Sequence, residues 1–388
     1  MNILFFNLTI GGHHLEYAHH IYEMGRQDRL NNYVFVLPKE FERLKNRWEW
    51  RKTDNIQFDL FDDNKNKSTR PPSIRALLYE SWQVAKLLRF YVKKYHAELV
   101  FSNTLISTVP FAPFLIPRYC RLMGVIYRIY LYDGDDRTML SMCLDKMKFL
   151  FISKCNLYKC AFILNDEDSA NKLNRIWHSS KFRALPDPFV PILKIGQYDF
   201  REKYHIEKEK VLFAHFGAMT DTKSTLEILS SILALSREEA ARYCFVFAGV
   251  VREEIKPQFY DMMSKAKKVT NVVLVDMYCS YEDFASLCIA CDAILTPYKR
   301  TSQSSGLIGY ASQFHKPVIA VNSGLLGKLV KKYKLGILIE EVNDENLKMA
   351  YRKVESGQIL LPSSAYCEYN CVEEFQHIVY SYIRKGNE

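Results

Sequence analysis

The sequence predicts an α/β protein made of two doubly wound, Rossmann-like parallel sheets, and three observations lead there. The chain has 388 residues, about twice the usual length of one domain. Short runs rich in Val, Ile and Phe alternate with helical patterns, once through residues 1–186 and again through 211–340. Such alternation gives parallel strands covered by helices on both faces. Residues 186–197 carry three prolines and a glycine and part the two runs as a linker.

The elements follow in order. The first half offers strands at Asn2–Asn7, Tyr33–Leu37, Ile56–Phe61, Leu99–Ser102, Val125–Tyr132, Ala161–Leu164 and Arg183–Leu185. The second half offers Val211–Phe216, Cys244–Ala248, Val272–Val275, Ala293–Thr296, Pro317–Val321 and Gly336–Ile339. Residues 74–95 form the clearest helix, because Ile74, Leu77, Leu78, Ala85, Leu88, Val92 and Tyr95 share one face. Residues 62–72 read as a charged loop, and 367–384 as a closing helix.

Composition narrows the class. Hydrophobic residues make up 48% and charged residues 25%, which suits a globular chain and excludes disordered, collagenous and coiled-coil ones. Proline interrupts the longest apolar stretch, 109–117, well short of the ~18–20 residues a membrane span needs. The first ten residues lack a basic region and read as a strand, not a signal peptide. Ten cysteines include a single CxxC, Cys288 to Cys291. One such pair without spaced histidines is no zinc ribbon, so the thiols read as buried small hydrophobes in a reducing cytoplasm. The net charge is +9, of which residues 1–190 hold +8 and residues 191–388 hold +1. A basic first half attracts anionic partners.

Ligands of doubly wound sheets bind at the carboxyl ends of the strands, so the loops there carry the candidate chemistry. Gly11-Gly12-His13-His14 follows the first strand. The glycines permit close backbone approach to a ligand, and His13 is a candidate acid/base group. The spacing is not GxGxxG, which leaves out a nicotinamide or flavin fingerprint. Gly217 to Ser224 follows the first strand of the second half, where Lys223 either places an ammonium on a diphosphate or is a solvated surface lysine. Ser304-Ser305-Gly306-Leu307 opens a helix after a strand and offers hydroxyls and amides to an anion. Asp133-Gly134-Asp135-Asp136 lacks EF-hand spacing, and Asp133 is a candidate for receiving a proton from an acceptor hydroxyl.

The run Cys291 to Ile339, with Ser-Ser-Gly-Leu at 304–307 and Lys-Pro-Val-Ile-Ala-Val at 316–321, resembles the donor region of retaining GT-B glycosyltransferases of the family-four class. Gly217 with Lys223 is similar to that family's phosphate loop, and Gly11-Gly12 resembles its first-domain glycine loop. The resemblance implies a GT-B fold whose two domains face a central cleft. It implies an acceptor-binding domain over 1–190, a donor-binding domain over 198–365, and a helix over 366–388 that crosses back to the first. The donor contacts would be Gly11, Gly12, Gly217, Lys223, Met277, Tyr278, Ser304, Ser305, Gly306 and Leu307, with His13, Asp133 and Lys223 catalytic. No metal and no cofactor are expected beyond a nucleotide-diphosphate sugar as co-substrate. Two departures stand out: Ala218 replaces the family's arginine, and its paired glutamates fall on Ser302 and Tyr310, or on Gln303 and Ala311.

The expected function is therefore sugar transfer with retention onto a glycan or lipid-linked acceptor, in cell-surface polysaccharide assembly. The alternatives are a non-catalytic nucleotide-sugar binder and an epimerase of the same fold. Residues 41–52 place Phe41, Leu44 and Trp48 on one helical face flanked by Arg43, Lys45, Arg47, Arg51 and Lys52. That pattern suits an interfacial helix on an anionic membrane, and Lys86, Arg89 and Lys93 form a second basic stripe. The alternative for either segment alone is a core-facing helix with a basic outer side. The expected setting is cytoplasmic, peripheral on the inner face of the membrane, with no nucleic-acid partner.

Overall fold

The computed structural model describes residues 1–10, 13–51, 53–62, 74–127, 129–132, 139–193 and 198–384. The chain divides into two compact units, one of residues 1–188 with 372–388 and one of residues 189–371. Among the described residues, no helix is long and apolar enough to cross a membrane.

The first unit holds β1 (Asn2–Phe6), β2 (Asn32–Pro38), β3 (Ile56–Phe61), β4 (Leu99–Ser102), β5 (Arg121–Ile126), β6 (Tyr158–Leu164) and β7 (Phe182–Leu185). They form one parallel sheet in the order β3-β2-β1-β4-β5-β6-β7. The side-chain period of two explains why the strands are apolar on both faces. Leu4 and Phe6 enter one core layer with Val34, Val36 and Val100. Ile3 and Phe5 enter the other with Tyr33, Phe35 and Phe101. Each such side chain contributes about 1.5–3 kcal/mol by leaving water, so a polar substitution on either face of β1 opens a core.

The second unit holds β8 (Val211–Phe216), β9 (Tyr243–Ala248), β10 (Asn271–Val275), β11 (Ala293–Thr296), β12 (Val318–Val321) and β13 (Gly336–Ile339). Its parallel order is β10-β9-β8-β11-β12-β13. Phe213, Tyr243, Phe245 and Tyr351 pack ring against ring in its core. Both sheets are doubly wound, as the alternation predicts, and their strand orders reverse between β1 and β4 and between β8 and β11.

Two expectations need correction. The fifth strand runs over Arg121–Ile126 rather than Val125–Tyr132, and Tyr130–Tyr132 is a short 3-10 turn. Gly124 lies inside the strand, where a Cβ would stand 1.9 Å from the Ser102 carbonyl oxygen. The glycine marks close backbone approach.

Residues 41–52 form no continuous interfacial helix. Only Phe41–Leu44 is α-helical, followed by a 3-10 turn over Lys45–Arg47, and Trp48 is extended. Trp48 and Trp50 are two residues apart, which is same-face spacing for extended chain but not for a helix. They meet the helix His13–Gln27, Trp48 on His19 at 4.6 Å and Trp50 on Tyr22 at 4.9 Å. The aromatics face the protein, and Lys45 and Arg51 pair with Glu42 and Glu49. Lys52 lies outside the described residues, as does most of the 62–72 loop.

The closing segment is two helices, Ala365–Tyr369 and Val372–Arg384. The second belongs to the first unit, where Phe375, Val379 and Ile383 are buried in the layer containing Tyr17 and Phe162. The Lys159 ammonium reaches the Tyr382 carbonyl, and Gln376 Nε2 donates to the His20 carbonyl at 2.8 Å. All ten cysteines are free thiols. Cys288 and Cys291 are buried and unbridged, and burial pushes the Cys291 thiol up to about 12.

Candidate active site

In the second unit the strand order reverses between β8 and β11, and the loops after these strands meet there. Gly217 ends β8 with φ +86°, in the region that favours glycine. A Cβ on Gly217 would lie 2.9 Å from the Lys223 Nζ, and a Cβ on Gly249 would lie 2.1 Å from the Gly217 carbonyl oxygen. These two glycines let the loop fold onto the strand ends. Residues Asp221–Lys223 then make a 3-10 turn, and Ser224, left-handed at φ +55°, opens the helix Thr225–Leu233.

Lys223 is half-buried, donates to the Phe216 carbonyl at 3.3 Å, and lies 5.5 Å from the Tyr298 ring centre. Burial pushes its pKa below the ordinary lysine value. No carboxylate pairs with it among the described residues. Lys299 differs: its ammonium lies 2.6 Å from both Asp221 and Glu227. An incoming anion finds Lys299 already neutralised, whereas Lys223 is a desolvated cation without a counter-charge. Unmet hydrogen-bonding capacity gathers nearby, at Ser224 Oγ and Glu227 Oε2. Each such buried group costs about 1–3 kcal/mol, and native proteins keep few of them outside functional sites.

Beneath the loop, His215 is fully buried in β8. Its Nδ1 lies 3.1 Å from the Leu295 carbonyl oxygen and its Nε2 lies 3.0 Å from Thr225 Oγ1. A carbonyl only accepts, so Nδ1 carries the proton and Nε2 accepts from the threonine. Burial lowers the imidazole pKa to about 4, which keeps the ring neutral near pH 7. His215 thereby ties β8 to β11 and to the first turn of the following helix.

At Ser305, the hydroxyl accepts from the Leu307 amide at 3.3 Å and the carbonyl accepts from Ile308 at 3.1 Å. Ser304 Oγ lies 3.4 Å from the Tyr366 hydroxyl. Gly306 precedes the seven-residue helix Leu307–Gln313. Met277 and Tyr278 follow β10; Tyr278 is 79% exposed, and Met277 borders a hollow with Ala248, Val275 and Phe284. The positions of the absent glutamate pair are apolar at one end: Tyr310 packs on Phe189 at 4.9 Å and on Phe284 at 4.7 Å, and Ala311 is buried. Thus Gly217, Lys223 and Tyr298 come together around the end of β8, while Met277 and Tyr278 stand off at the end of β10.

The first unit has its own switch point, between β1 and β4. Gly11, Gly12 and Asp133 lie outside the described residues, as does the side chain of His13. The neighbouring His14 stands at this position instead: its Nδ1 is 3.0 Å from Asn103 Nδ2, and its ring meets Tyr127 edge-on at 5.1 Å. The amide can only donate, so His14 Nδ1 accepts. Tyr127 donates to Asn103 Oδ1 at 2.8 Å, and Asn7 is buried beside them. The sequence reading missed Asn103 and Tyr127. Their one signal was position, at and just beyond the ends of β4 and β5.

Two doubly wound sheets of this order define the GT-B class of glycosyltransferase folds. Residues 197–371, nearly all of the second unit, match the family Glycosyl transferases group 1. The chain is a glycosyltransferase. No curated protein sequence matches the chain. Among solved structures it is similar to HepE of Anabaena in complex with UDP-glucose, at 13% identity and a TM-score of 0.67, covering 99% of this chain and 100% of that one. It is similar to WaaG, a glycosyltransferase involved in lipopolysaccharide biosynthesis, at 13% identity and a TM-score of 0.62, covering 98% and 95%. Sucrose-phosphate synthase of Thermosynechococcus elongatus is similar at 12% identity and a TM-score of 0.63, covering 100% and 97%.

Proposed function

We propose that the chain transfers a sugar, with retention, from a nucleoside-diphosphate donor to a glycan or lipid-linked acceptor. The second unit would bind the donor and the first the acceptor. One observation carries the donor assignment: Lys223 is a desolvated ammonium without a carboxylate partner among the described residues, held against Gly217 at the switch point. A diphosphate supplies the missing counter-charge. The complexes of HepE with UDP and UDP-glucose support the same donor class.

Breaking the bond from the anomeric carbon to the diphosphate leaves growing negative charge on the departing oxygen. A cation fixed there in a site of low dielectric lowers the barrier. Lys223 would take that role without a metal, and the Gly306 backbone and Ser305 hydroxyl would hold the phosphates. The hollow beside Met277 and Phe284 would receive the base. The departing phosphate itself can accept the acceptor's proton, with His13 and Asp133 positioning the acceptor. The basic first half suits a phosphate-bearing acceptor at the inner face of a membrane.

Calorimetry with nucleoside diphosphates tests the donor reading. A charge-assisted hydrogen bond is worth about 1.5–3 kcal/mol, so Lys223→Ala should weaken binding at least about tenfold. Unchanged affinity would remove Lys223 from the site. Tyr310 and Ala311 at the places of the missing glutamates favour a second reading, a binder without turnover. That reading requires tight binding with neither transfer nor donor hydrolysis.

A further inference from the structure

The first unit has an apolar groove of about 240 Å³ between the helix Ile74–Lys94, the turn Leu105–Thr108 and the helix Met139–Lys154. Leu77, Leu78, Ile106, Val109, Met147 and Phe151 are among its walls. The apolar face of the first helix is buried from Val84 onward, at Val84, Ala85, Leu88 and Val92. Its first turns are bare: Leu77 is 37% exposed and Leu78 is 39% exposed. Across the groove Met147 is 49% exposed on the helix Met139–Lys154. A contiguous exposed apolar patch marks an interaction surface.

The segments that precede the two helices in sequence are polar. Residues 63–73 read Asp-Asn-Lys-Asn-Lys-Ser-Thr-Arg-Pro-Pro-Ser, and residues 133–138 read Asp-Gly-Asp-Asp-Arg-Thr. Neither has a Leu, Ile, Val, Met or aromatic side chain to offer.

The rim is cationic. Arg75, Trp82, Lys86, Arg89 and Lys93 are spaced by seven, four, three and four residues, which makes one strip along the helix beside Leu78. The Lys86 ammonium lies 4.3 Å from the Trp82 ring centre. None of these four cations has an ion pair among the described residues. Lys146 and Lys154 are exposed on the opposite helix. A second copy of this chain docked two-fold on the groove would set like charges against each other. An anionic amphiphile meets both features at once.

We propose that this groove takes the hydrocarbon chain of an anionic membrane lipid, with the Arg75–Lys93 strip on the lipid headgroups. The assignment moves the membrane surface from residues 41–52, whose aromatics are packed inward, to the helix Ile74–Lys94. It does not depend on the donor: lipid can bind here whatever the second unit binds.

The test uses the full chain and vesicles of phosphatidylglycerol or phosphatidylcholine, with bromine on a fraction of the acyl chains. Sedimentation should favour phosphatidylglycerol about tenfold or more and weaken at high salt. Bromine should quench tryptophan fluorescence, and Trp82→Phe should abolish that quenching. Leu77→Gln with Leu78→Gln should lower vesicle binding about tenfold while leaving the melting temperature and nucleoside-diphosphate affinity unchanged. Arg43→Gln with Lys45→Gln should leave vesicle binding intact. Equal binding to both lipids overturns the proposal, and so does undiminished binding or quenching in the double leucine variant. A dimer that this variant dissociates would assign the groove to a second copy instead. Because nucleotide affinity is read separately, failure here is distinguishable from failure of the donor reading.

Discussion

The Lys223 ammonium lies 2.9 Å from the point where a side chain on Gly217 would begin. Glycine there leaves the cation its place. Gly217→Ala should therefore impair donor binding by displacing Lys223, and should also strain a backbone at φ +86°, at a cost of about 1–3 kcal/mol in stability. A double-mutant cycle read by calorimetry separates the two effects. In a Lys223→Ala background, Gly217→Ala should cost little further affinity, and full additivity would show that the residues act independently.

His215 sets an acid limit on the second unit. Its pKa falls from 6.5 in the unfolded chain to about 4 in the fold, so the unfolded state binds more protons between those values. Stability from this group is complete above pH 6.5 and declines as pH falls toward about 4. The full loss amounts to roughly 3 kcal/mol. Melting curves from pH 7.5 to 4.5 should show that slope, and His215→Gln should flatten it while lowering stability at pH 7.5. An unchanged slope in the variant would assign the acid limit to other groups.

Turnover should persist in excess chelator, since Lys223 is the charge assigned to the departing phosphate. Complete loss of activity, restored by magnesium or manganese, would transfer that role to a metal. Asp133, Asp135 and Asp136, outside the described residues, would then be the first ligands to test.

Truncation after Cys371 removes Phe375, Val379 and Ile383 from the first unit's core. At about 1.5–3 kcal/mol each, the loss approaches the 5–15 kcal/mol that typically holds a domain folded. Hydrogen exchange should show β1, β2 and β6 losing protection while β8 and β9 keep theirs. Retained protection in β1 would mean that the helix only rests on a finished core.

Periodicity made the fold legible. Among the described residues, every strand but the fifth lies where the sequence has a short apolar run ended by polar loop chemistry, and Ile56–Phe61 and Val211–Phe216 match residue for residue. The fifth strand begins at Arg121, ahead of the expected Val125, and Gly124 within it serves a close approach to Ser102. The segment 41–52 misled because a helical wheel groups Phe41, Leu44 and Trp48, whereas the chain turns extended at Trp48. Gly217 and Lys223 could be named from loop position. What isolates Lys223 could not: Lys299 takes both nearby carboxylates, and Asp221 and Glu227 converge on it only once the strands are side by side. His14 and Asn103 are 89 residues apart in the chain, and no local pattern joins them.

The division of the chain also sets an order of assembly. The first unit needs Val372–Arg384 to close its core, whereas the second is complete at Cys371. Domains made on the ribosome ordinarily finish from the N-terminus onward. Here the later-coded unit has its whole sequence first, and the earlier one must wait, with Tyr17 and Phe162 partly uncovered, for Val372–Arg384 to emerge. During synthesis the N-terminal sheet is the exposed partner, and chaperones that guard unfinished chains would meet it there.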